Sequence, residues 1–220
     1  MRVVKIMVNS FEKPIVIVGA CGFGKEVAWL AKECGRVVSG FLDDDADLHG
    51  SEIFGLPVLG GIDTVSNYKE SDFIVAIGSP AVRSKLVGRV VTQLPSVNWA
   101  SLVHPSVSLD PSVKVGAGSL ITAGCVLTVD IVIGEHCIVN INSTVGHDCV
   151  FSDFVTVAPL VAVSGNVTLR SCVEVGTGAS IRQGVTIEEG AMLGMGAVLT
   201  KNQPANSVFV GSPAKELRRN

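Results

Sequence analysis

The chain has 220 residues, 47% hydrophobic and 17% charged, a balance typical of well-packed globular domains and not of disordered chains. Its net charge is −3, with no block of lysine or arginine, which argues against nucleic acid or an anionic membrane as a partner. No apolar run is long enough to span a bilayer, and Met1 to Ser10 lack the apolar segment of a secretory signal, so we expect a cytoplasmic protein.

The first predicted elements follow the order of a nucleotide-binding domain. A short apolar strand, Pro14–Val18, runs into the glycine-rich stretch Gly19–Lys25, and a helical pattern then continues to near Gly35. A second strand, Val37–Leu42, ends in the acidic triplet Asp43–Asp45. Strand, glycine-rich turn, helix, strand and acid in this order indicate a βαβ unit that binds a nucleotide.

Further short elements are predicted before residue 104. They are an edge segment at Leu56–Leu59, a weak helix at Ile62–Tyr68, a strand at Phe73–Ile77 closed by Gly78, a helix at Ala81–Val91 and a last strand at Val97–Val103. His104-Pro105 marks the change to a different pattern. We therefore expect an N-terminal domain of residues 1–103 and a second domain of residues 104–220.

The glycine-rich turn is only a partial match to known phosphate loops. Its first and last glycines and Lys25 have P-loop spacing, but Glu26 stands where the magnesium-binding Ser or Thr should be. The glycines do not follow G-x-G-x-x-G either, so a P-loop ATPase is not favoured. Two interpretations stay open. Backbone amides at the helix N-terminus could face an anion, with Asp43 or Asp44 holding a base or ribose hydroxyl, or the turn could bind nothing.

From Leu109 to Leu199 the chain repeats every six residues without an insertion. Large apolar residues occupy position 1 of sixteen successive six-residue units, called hexads here, and a small or β-branched residue follows at position 5. Helices need recurrence near 3.6 and half-buried strands near 2, so this period predicts a parallel β-helix. The position 1 residues are Leu109, Val115, Ile121, Leu127, Ile133, Val139, Val145, Phe151, Val157, Val163, Leu169, Val175, Ile181, Ile187, Leu193 and Leu199.

Three hexads close one coil of such a fold, so residues eighteen apart in sequence stack into columns. Cys125, Cys137 and Cys149 occupy inward position 5, and no C-x-x-C occurs, so we predict core cysteines without disulfides or zinc. One outward column consists mostly of small residues and predicts a shallow groove for an extended ligand. Its members are Asn140, Ala158, Gly176 and Gly194.

Two histidines lie at predicted turns of the repeat. We expect His136 to be an exposed corner residue without a catalytic role. His147 has Asp148 beside it, and a histidine next to a carboxylate is suited to act as a general base. A solvated corner is the alternative for His147. Neither the nucleophile motif G-x-S-x-G nor the zinc motif H-E-x-x-H occurs.

Several motifs together carry a family resemblance. They are IVIVGACGFGKEVA, FLDDD, IVAIGSPAVRSKL, LVHPSV, VNINSTVGHDC and VFVGSPAK, in addition to the hexads. With them the chain resembles, over nearly its whole length, the bacterial sugar acyltransferases of the PglD/NeuD-like group. The resemblance implies a Rossmann-like domain followed by a left-handed β-helix, in a homotrimer with active sites between subunits.

The resemblance also implies an activity in polysaccharide biosynthesis: transfer of an acetyl group from acetyl-CoA to the C4 amine of a nucleotide-linked 4-amino-4,6-dideoxy sugar. His147 matches the general base and Asp148 the acid that orients it, and the amine attacks the thioester without a covalent enzyme intermediate. Positions that match substrate contacts are Gly22, Phe23, Gly24, Asp43, Asp44, Gly78 and Asn140. Positions that match acetyl-CoA contacts are Thr156, Gly165, Gly176, Thr177, Gly194, Met195 and Lys201, the last near the phosphate end.

One position departs from the relatives, and alternative functions remain. Relatives often have Gly-Gly-His or Ser-Gly-His where this chain has Cys21, Gly22 and Phe23, and a phenylalanine cannot hydrogen-bond the substrate, so UDP, GDP and dTDP sugars all stay open. O-acetylation of a sugar such as sialic acid is the alternative activity. A metal-dependent β-helix hydratase is less favoured, because only His136 and His147 lie in the repeats, and we expect no metal. A purely structural scaffold would leave the glycine-rich turn unexplained.

Overall fold

The computed structural model describes residues 12–217, which form two compact units. Residues 12–77 and Gly88–Ala100 make the first unit, and Gly78–Val87 with residues 101–217 make the second. Gly78–Val87 therefore belongs with the repeat, although it precedes the repeat in sequence. Among the described residues, no helix has both the length and the apolar character needed to cross a membrane.

Six strands between Ile15 and Trp99 form a Rossmann-like sheet with the strand order β3-β4-β2-β1-β5-β6. The elements are β1 (Ile15–Val18), α1 (Gly22–Glu33), β2 (Val38–Leu42), a 3₁₀ helix (Ala46–Leu48), β3 (Glu52–Ile53), β4 (Leu56–Gly60), a second 3₁₀ helix (Ile62–Tyr68), β5 (Asp72–Val75), α2 (Pro80–Gln93) and β6 (Asn98–Trp99). All strand pairs are parallel except β3 with β4. The predicted strand, glycine-rich turn, helix and second strand are confirmed, with β1 buried along its whole length.

Two predicted elements of this region differ in the structure. β4 is not an edge strand, because Phe54 and Gly55 both have positive φ (53° and 74°) and form a tight hairpin turn that places β3 outside it. The strand predicted at Val97–Val103 divides in two. β6 pairs with β5, whereas Leu102–Val103 (β7) pairs with Leu120–Ile121 of the repeat.

The second unit is a left-handed parallel β-helix. After β7 its two-residue strands are β8 (Lys114–Val115), β9 (Leu120–Ile121), β10 (Val126–Leu127), β11 (Val132–Ile133), β12 (Ile138–Val139), β13 (Thr144–Val145), β14 (Val150–Phe151), β15 (Thr156–Val157), β16 (Ala162–Val163), β17 (Thr168–Leu169), β18 (Glu174–Val175), β19 (Ser180–Ile181), β20 (Thr186–Ile187), β21 (Met192–Leu193) and β22 (Val198–Leu199). β23 (Val208–Val210) and β24 (Lys215–Glu216) close the chain.

Each strand of the repeat pairs with the strand three further along, as the eighteen-residue coil requires. Val139 pairs with Val157, and Val157 pairs with Val175. From Ile121 to Leu199, every position 1 side chain is buried in one continuous core, together with the position 5 cysteines. Burial raises the pKa of the Cys137 thiol to about 12, consistent with the predicted packing role.

The turns contain a regularity that the sequence reasoning missed. In fourteen consecutive hexads, position 4 has a φ of about +53° to +74°, the left-handed region. Glycine adopts this region freely, and Asn and Asp tolerate it better than most residues. The position 4 residues are Gly118, Gly124, Asp130, His136, Asn142, Asp148, Phe154, Leu160, Asn166, Cys172, Gly178, Gly184, Gly190 and Gly196.

Candidate active site

His147 and Asp148 form an exposed pair in the turn between β13 and β14. The imidazole Nδ1 lies 2.7 Å from Asp148 Oδ2, and the two side chains are 53% and 60% exposed. An ionised carboxylate only accepts hydrogen bonds, so the network assigns the proton to Nδ1, which donates it. Nε2 then keeps its lone pair, as a general base requires.

The repeat itself presents this pair to solvent. His147 occupies position 3, from which its side chain leaves the coil, and Asp148 occupies the left-handed position 4 with a φ of 58°. The next residue, Cys149, returns to the core. A turn of this shape brings two adjacent side chains to the same outer corner, so a sequence pair becomes a hydrogen-bonded pair.

Asn140 lies at the neighbouring corner, between β12 and β13. Its side-chain Oδ1 accepts from the Ile141 N–H at 2.7 Å and from the Thr122 hydroxyl at 3.3 Å. These donors fix the oxygen, so the amide NH₂ is directed away from them and can donate to a ligand. Sequence reasoning missed Thr122, although its place eighteen residues before Asn140 could have indicated the contact.

One face of the β-helix lies between these two corners. It is the outward side of the sheet β10-β13-β16-β19-β22, and all five of its outward residues are exposed and uncharged. We call it the β10 face. Its outward residues are Val126, Thr144, Ala162, Ser180 and Val198. An uncharged, exposed strip of this kind suits contact with an extended, largely uncharged ligand.

Six of the seven predicted acetyl-CoA positions border the β10 face. Gly165 and Lys201 stack in the column of His147, along one edge. Gly176, Thr177, Gly194 and Met195 lie along the other edge, where the predicted column of Asn140, Ala158, Gly176 and Gly194 is confirmed by the strand register. Met195 is 78% exposed.

Thr156 lies elsewhere, which corrects its expected place along the groove. It is buried on β15, where its hydroxyl donates to the Gly78 carbonyl at 2.7 Å and accepts from Arg83 Nη2 at 2.9 Å. The Gly78 carbonyl, on a predicted substrate-binding residue, also accepts from Arg83 Nη1 at 2.9 Å. Both residues therefore serve contacts within the second unit.

Arg83 is the principal residue of the second unit that sequence reasoning missed. Its side chain is almost fully buried, and its Nε donates to the His136 carbonyl at 2.8 Å. Its Nη2 donates to the Phe154 carbonyl at 2.9 Å and to the Val155 carbonyl at 3.3 Å. Burial lowers its pKa to about 10, so the guanidinium is still charged at neutral pH. It joins carbonyls of two successive coils.

His136 is not the exposed corner residue that the sequence predicted. It is 2% exposed, and its ring stacks on Phe154, eighteen residues later, with 5.3 Å between ring centroids. Burial and the Arg83 charge lower the pKa of His136 to about 4. Between residues 12 and 217, no three His, Cys, Asp or Glu side chains are grouped so as to hold a metal ion.

In the first unit, α1 begins within the glycine-rich turn. Gly22 is exposed and Phe23 half-buried, whereas Gly24 is buried against the Gly19 carbonyl, with no room for a Cβ. Gly24 is therefore required for the packing of helix against strand. Cys21, at the helix N-cap, is exposed as its loop position suggested.

Asp43 and Asp44 both make contacts inside the first unit. Asp43 accepts from the Ala20 N–H at 2.7 Å and so ties the end of β2 to the glycine-rich turn. Asp44 accepts from the Ile62 N–H at 3.2 Å and pairs with Arg89 at 2.5 Å, and Arg89 holds the pKa of that carboxyl below its usual range. Asp43 thus shapes the turn, and Asp44 presents a partly neutralised carboxylate.

Comparisons with known proteins agree with this architecture. The model of the PglD N-terminal domain family matches residues 14–90. WeeI from Acinetobacter baumannii AYE is 37% identical over 93% of this chain and 99% of its own, with a TM-score of 0.84. The comparison with curated proteins gave no match.

Two further solved structures were determined with ligands. The acetyltransferase domain of PglB from Neisseria gonorrhoeae FA1090, in complex with acetyl coenzyme A, is 32% identical over 94% of this chain and 100% of its own, with a TM-score of 0.87. PerB from Caulobacter crescentus, in complex with CoA and GDP-perosamine, is 30% identical over 93% of this chain and 97% of its own, with a TM-score of 0.86.

Proposed function

This chain belongs to the PglD/NeuD-like family of hexapeptide-repeat sugar acyltransferases, and we propose that His147 is the base with which it acetylates the C4 amine of a nucleotide-linked 4-amino-4,6-dideoxy sugar. The enzyme is an acetyltransferase that uses acetyl-CoA as its co-substrate. In this proposal its acceptor is a nucleotide-linked amino sugar, as is the GDP-perosamine bound by PerB. The position of the acetylated amine and the role of each residue are parts of the proposal.

The observation that carries the proposal is the exposed His147–Asp148 pair. With Nδ1 held by the carboxylate at 2.7 Å, Nε2 accepts a proton from the sugar amine as its nitrogen attacks the thioester carbonyl. A bond from nitrogen to the acetyl carbon forms, the bond from that carbon to sulfur breaks, and the proton passes from Nε2 to the departing CoA thiolate. The products are the N-acetyl sugar and CoA.

Asn140 would assist at the acetyl group. Because Thr122 and the Ile141 N–H hold its side-chain oxygen, its NH₂ can donate to the thioester oxygen, on which negative charge develops during attack. This contact would strengthen in the transition state, and holding amine and thioester together would supply much of the remaining rate.

The β10 face would hold acetyl-CoA between two copies of the chain. Its uncharged residues suit the pantetheine arm, with Gly176, Thr177, Gly194 and Met195 along one edge. Lys201 lies two coils beyond Gly165 in the same column, where its ammonium would meet the phosphates. In this proposal three chains associate through their β-helices, and each active site lies between two of them.

The glycine-rich turn would hold the nucleotide in the first unit. Exposed Gly22 and half-buried Phe23 stand at the N-terminus of α1, and a phenyl ring can pack on a base or sugar, although it cannot hydrogen-bond either. The carboxylate of Asp44 would meet the base or ribose together with its partner Arg89. Asp43 would contribute by shaping the turn.

The test is thiol release from acetyl-CoA with a panel of UDP-, GDP- and dTDP-linked 4-amino-4,6-dideoxy sugars, with sialic acid as a hydroxyl acceptor. Rapid turnover with one amino sugar supports the proposal and identifies the nucleotide. Turnover with sialic acid alone would replace it with O-acetylation. Mass spectrometry and NMR of the product establish which sugar position carries the acetyl group.

A further inference from the structure

Gly165 has a place in the repeat that the predicted cofactor role does not explain. It occupies hexad position 3 and is the only glycine at that position in all sixteen hexads. It lies eighteen residues after His147, so the one glycine at this position lies directly next to His147 in the neighbouring coil.

The imidazole ring of His147 fills the space that a side chain of Gly165 would occupy. A Cβ built on Gly165 would lie 2.5 Å from His147 Nε2, 2.7 Å from Cε1 and 3.0 Å from Cδ2. Carbon atoms in contact normally stay 3.5 to 4 Å apart, so no side chain larger than hydrogen fits beside the ring in its present position. The closest of the three atoms, Nε2, is the nitrogen that does not contact Asp148.

The backbone of Gly165 does not itself require glycine. Its φ lies outside the left-handed region that position 4 adopts. Gly146 completes the close packing, because a Cβ there would lie 2.6 Å from the Gly165 backbone nitrogen. The turn that carries His147 therefore lies directly on the turn that carries Gly165.

We infer that Gly165 is a positioning residue for His147: its missing side chain leaves room for the imidazole to lie against the neighbouring coil while Nδ1 stays on Asp148. The inference rests on the proposed function, in which Nε2 takes the proton. Asp148 holds Nδ1, and Gly165 leaves open the space that Nε2 occupies, so both are needed to keep Nε2 in this position.

Gly165→Ala is the variant that tests this. The atoms it would displace belong to the end of a rotatable side chain, so the protein folds and the imidazole moves. We expect kcat to fall about 10- to 100-fold with the KM for acetyl-CoA unchanged, because a displaced base affects the chemical step and not cofactor binding. Gly88→Ala is the control, since a Cβ there meets nothing within 4 Å.

A double-mutant cycle with His147→Ala separates positioning from cofactor contact. In the His147→Ala protein the imidazole is gone, so adding Gly165→Ala should change neither the remaining activity, the Tm nor the Kd for acetyl-CoA. An equal rise of that Kd in both backgrounds would overturn the inference, since Gly165 would then act on the cofactor directly.

Nitrogen chemical shifts of the His147 imidazole give a measurement without turnover. They report which nitrogen is protonated, and Gly165→Ala should shift them whereas Gly88→Ala should not. Unchanged His147 signals in Gly165→Ala would overturn the inference. If the wild-type enzyme acetylates none of the acceptors, the proposed function fails, yet these spectra and the Tm cycle still report whether Gly165 sets the ring position.

Discussion

The two histidines of the repeat lie eleven residues apart, and the β-helix treats them in opposite ways. His136 is buried at position 4 and stacked on Phe154, and burial and the charge of Arg83 lower its pKa to about 4. His147 is exposed at position 3, with Nδ1 on Asp148. One position in the hexad, and the residues stacked next to it, separate a core histidine from a candidate base.

Both rings use the same packing device. Each lies where the Cβ of a glycine in an adjoining coil would be, Gly118 for His136 and Gly165 for His147. The difference is on the other side of the ring: Phe154 stacks on His136, whereas half of the His147 side chain is open to solvent. Whether the other face of the imidazole ring is buried or open to solvent therefore separates a structural role from a chemical one.

The largest effect should come from removing the exposed ring. His147→Ala should lower kcat about 10²- to 10⁴-fold, the usual contribution of a general base. Its Tm should change little, since exposed substitutions mostly cost under about 0.5 kcal/mol. Steady-state kinetics and thermal unfolding measure the two effects. Near-full activity in this variant would remove His147 as the base.

Arg83→Met should destabilise the protein around the buried His136, with a loss of about 3 kcal/mol in the free energy of unfolding. Methionine fills much of the volume but leaves several carbonyls and the Thr156 hydroxyl without their donor, each costing about 1–3 kcal/mol if unreplaced. Urea denaturation at fixed protein concentration measures the loss. Arg83→Lys should recover only part of it, because an ammonium cannot reproduce the planar set of donors. Equal stability of the Met and wild-type proteins would contradict this account.

The sequence was sufficient for the fold of the repeat, because a period of six over sixteen hexads admits one architecture. It also placed Asn140, Gly176 and Gly194 in one column. His136 was predicted wrongly because its burial depends on Phe154 and on Arg83, which is 53 residues earlier. No local pattern reveals a contact of that range. Assigning each histidine its position in the hexad would have shown that His136 lies at position 4 and His147 at position 3.

Acidification should distinguish the two histidines through stability. The pKa of His136 falls from 6.5 in the unfolded chain to about 4 in the folded protein, so between these values the unfolded state binds more protons. The contribution of neutral His136 to the free energy of unfolding is therefore complete above pH 6.5. It declines by at most about 3 kcal/mol as the pH falls to 4. Urea denaturation across this range measures the decline.

His136→Asn is the matched control for that decline. Asparagine does not titrate and tolerates the left-handed backbone of position 4. The variant should be less stable at neutral pH, because the ring stacking is lost, and should lose less stability on acidification than the wild type. Identical slopes in both proteins would show that His136 is not the group that titrates.

Asp148→Asn should give the smallest effect, a decrease in kcat of about tenfold, near 1.4 kcal/mol. Asparagine keeps the backbone conformation at φ 58° and can still accept from Nδ1, but it loses the charge that stabilises the imidazolium formed on proton transfer. The effect is modest because both side chains are more than half exposed, and water screens the pair. The same substitution in the His147→Ala protein should cost nothing further. A tenfold loss there as well would mean that Asp148 acts on the substrate directly, and the pairing seen at this corner would then not explain why His147 differs from His136.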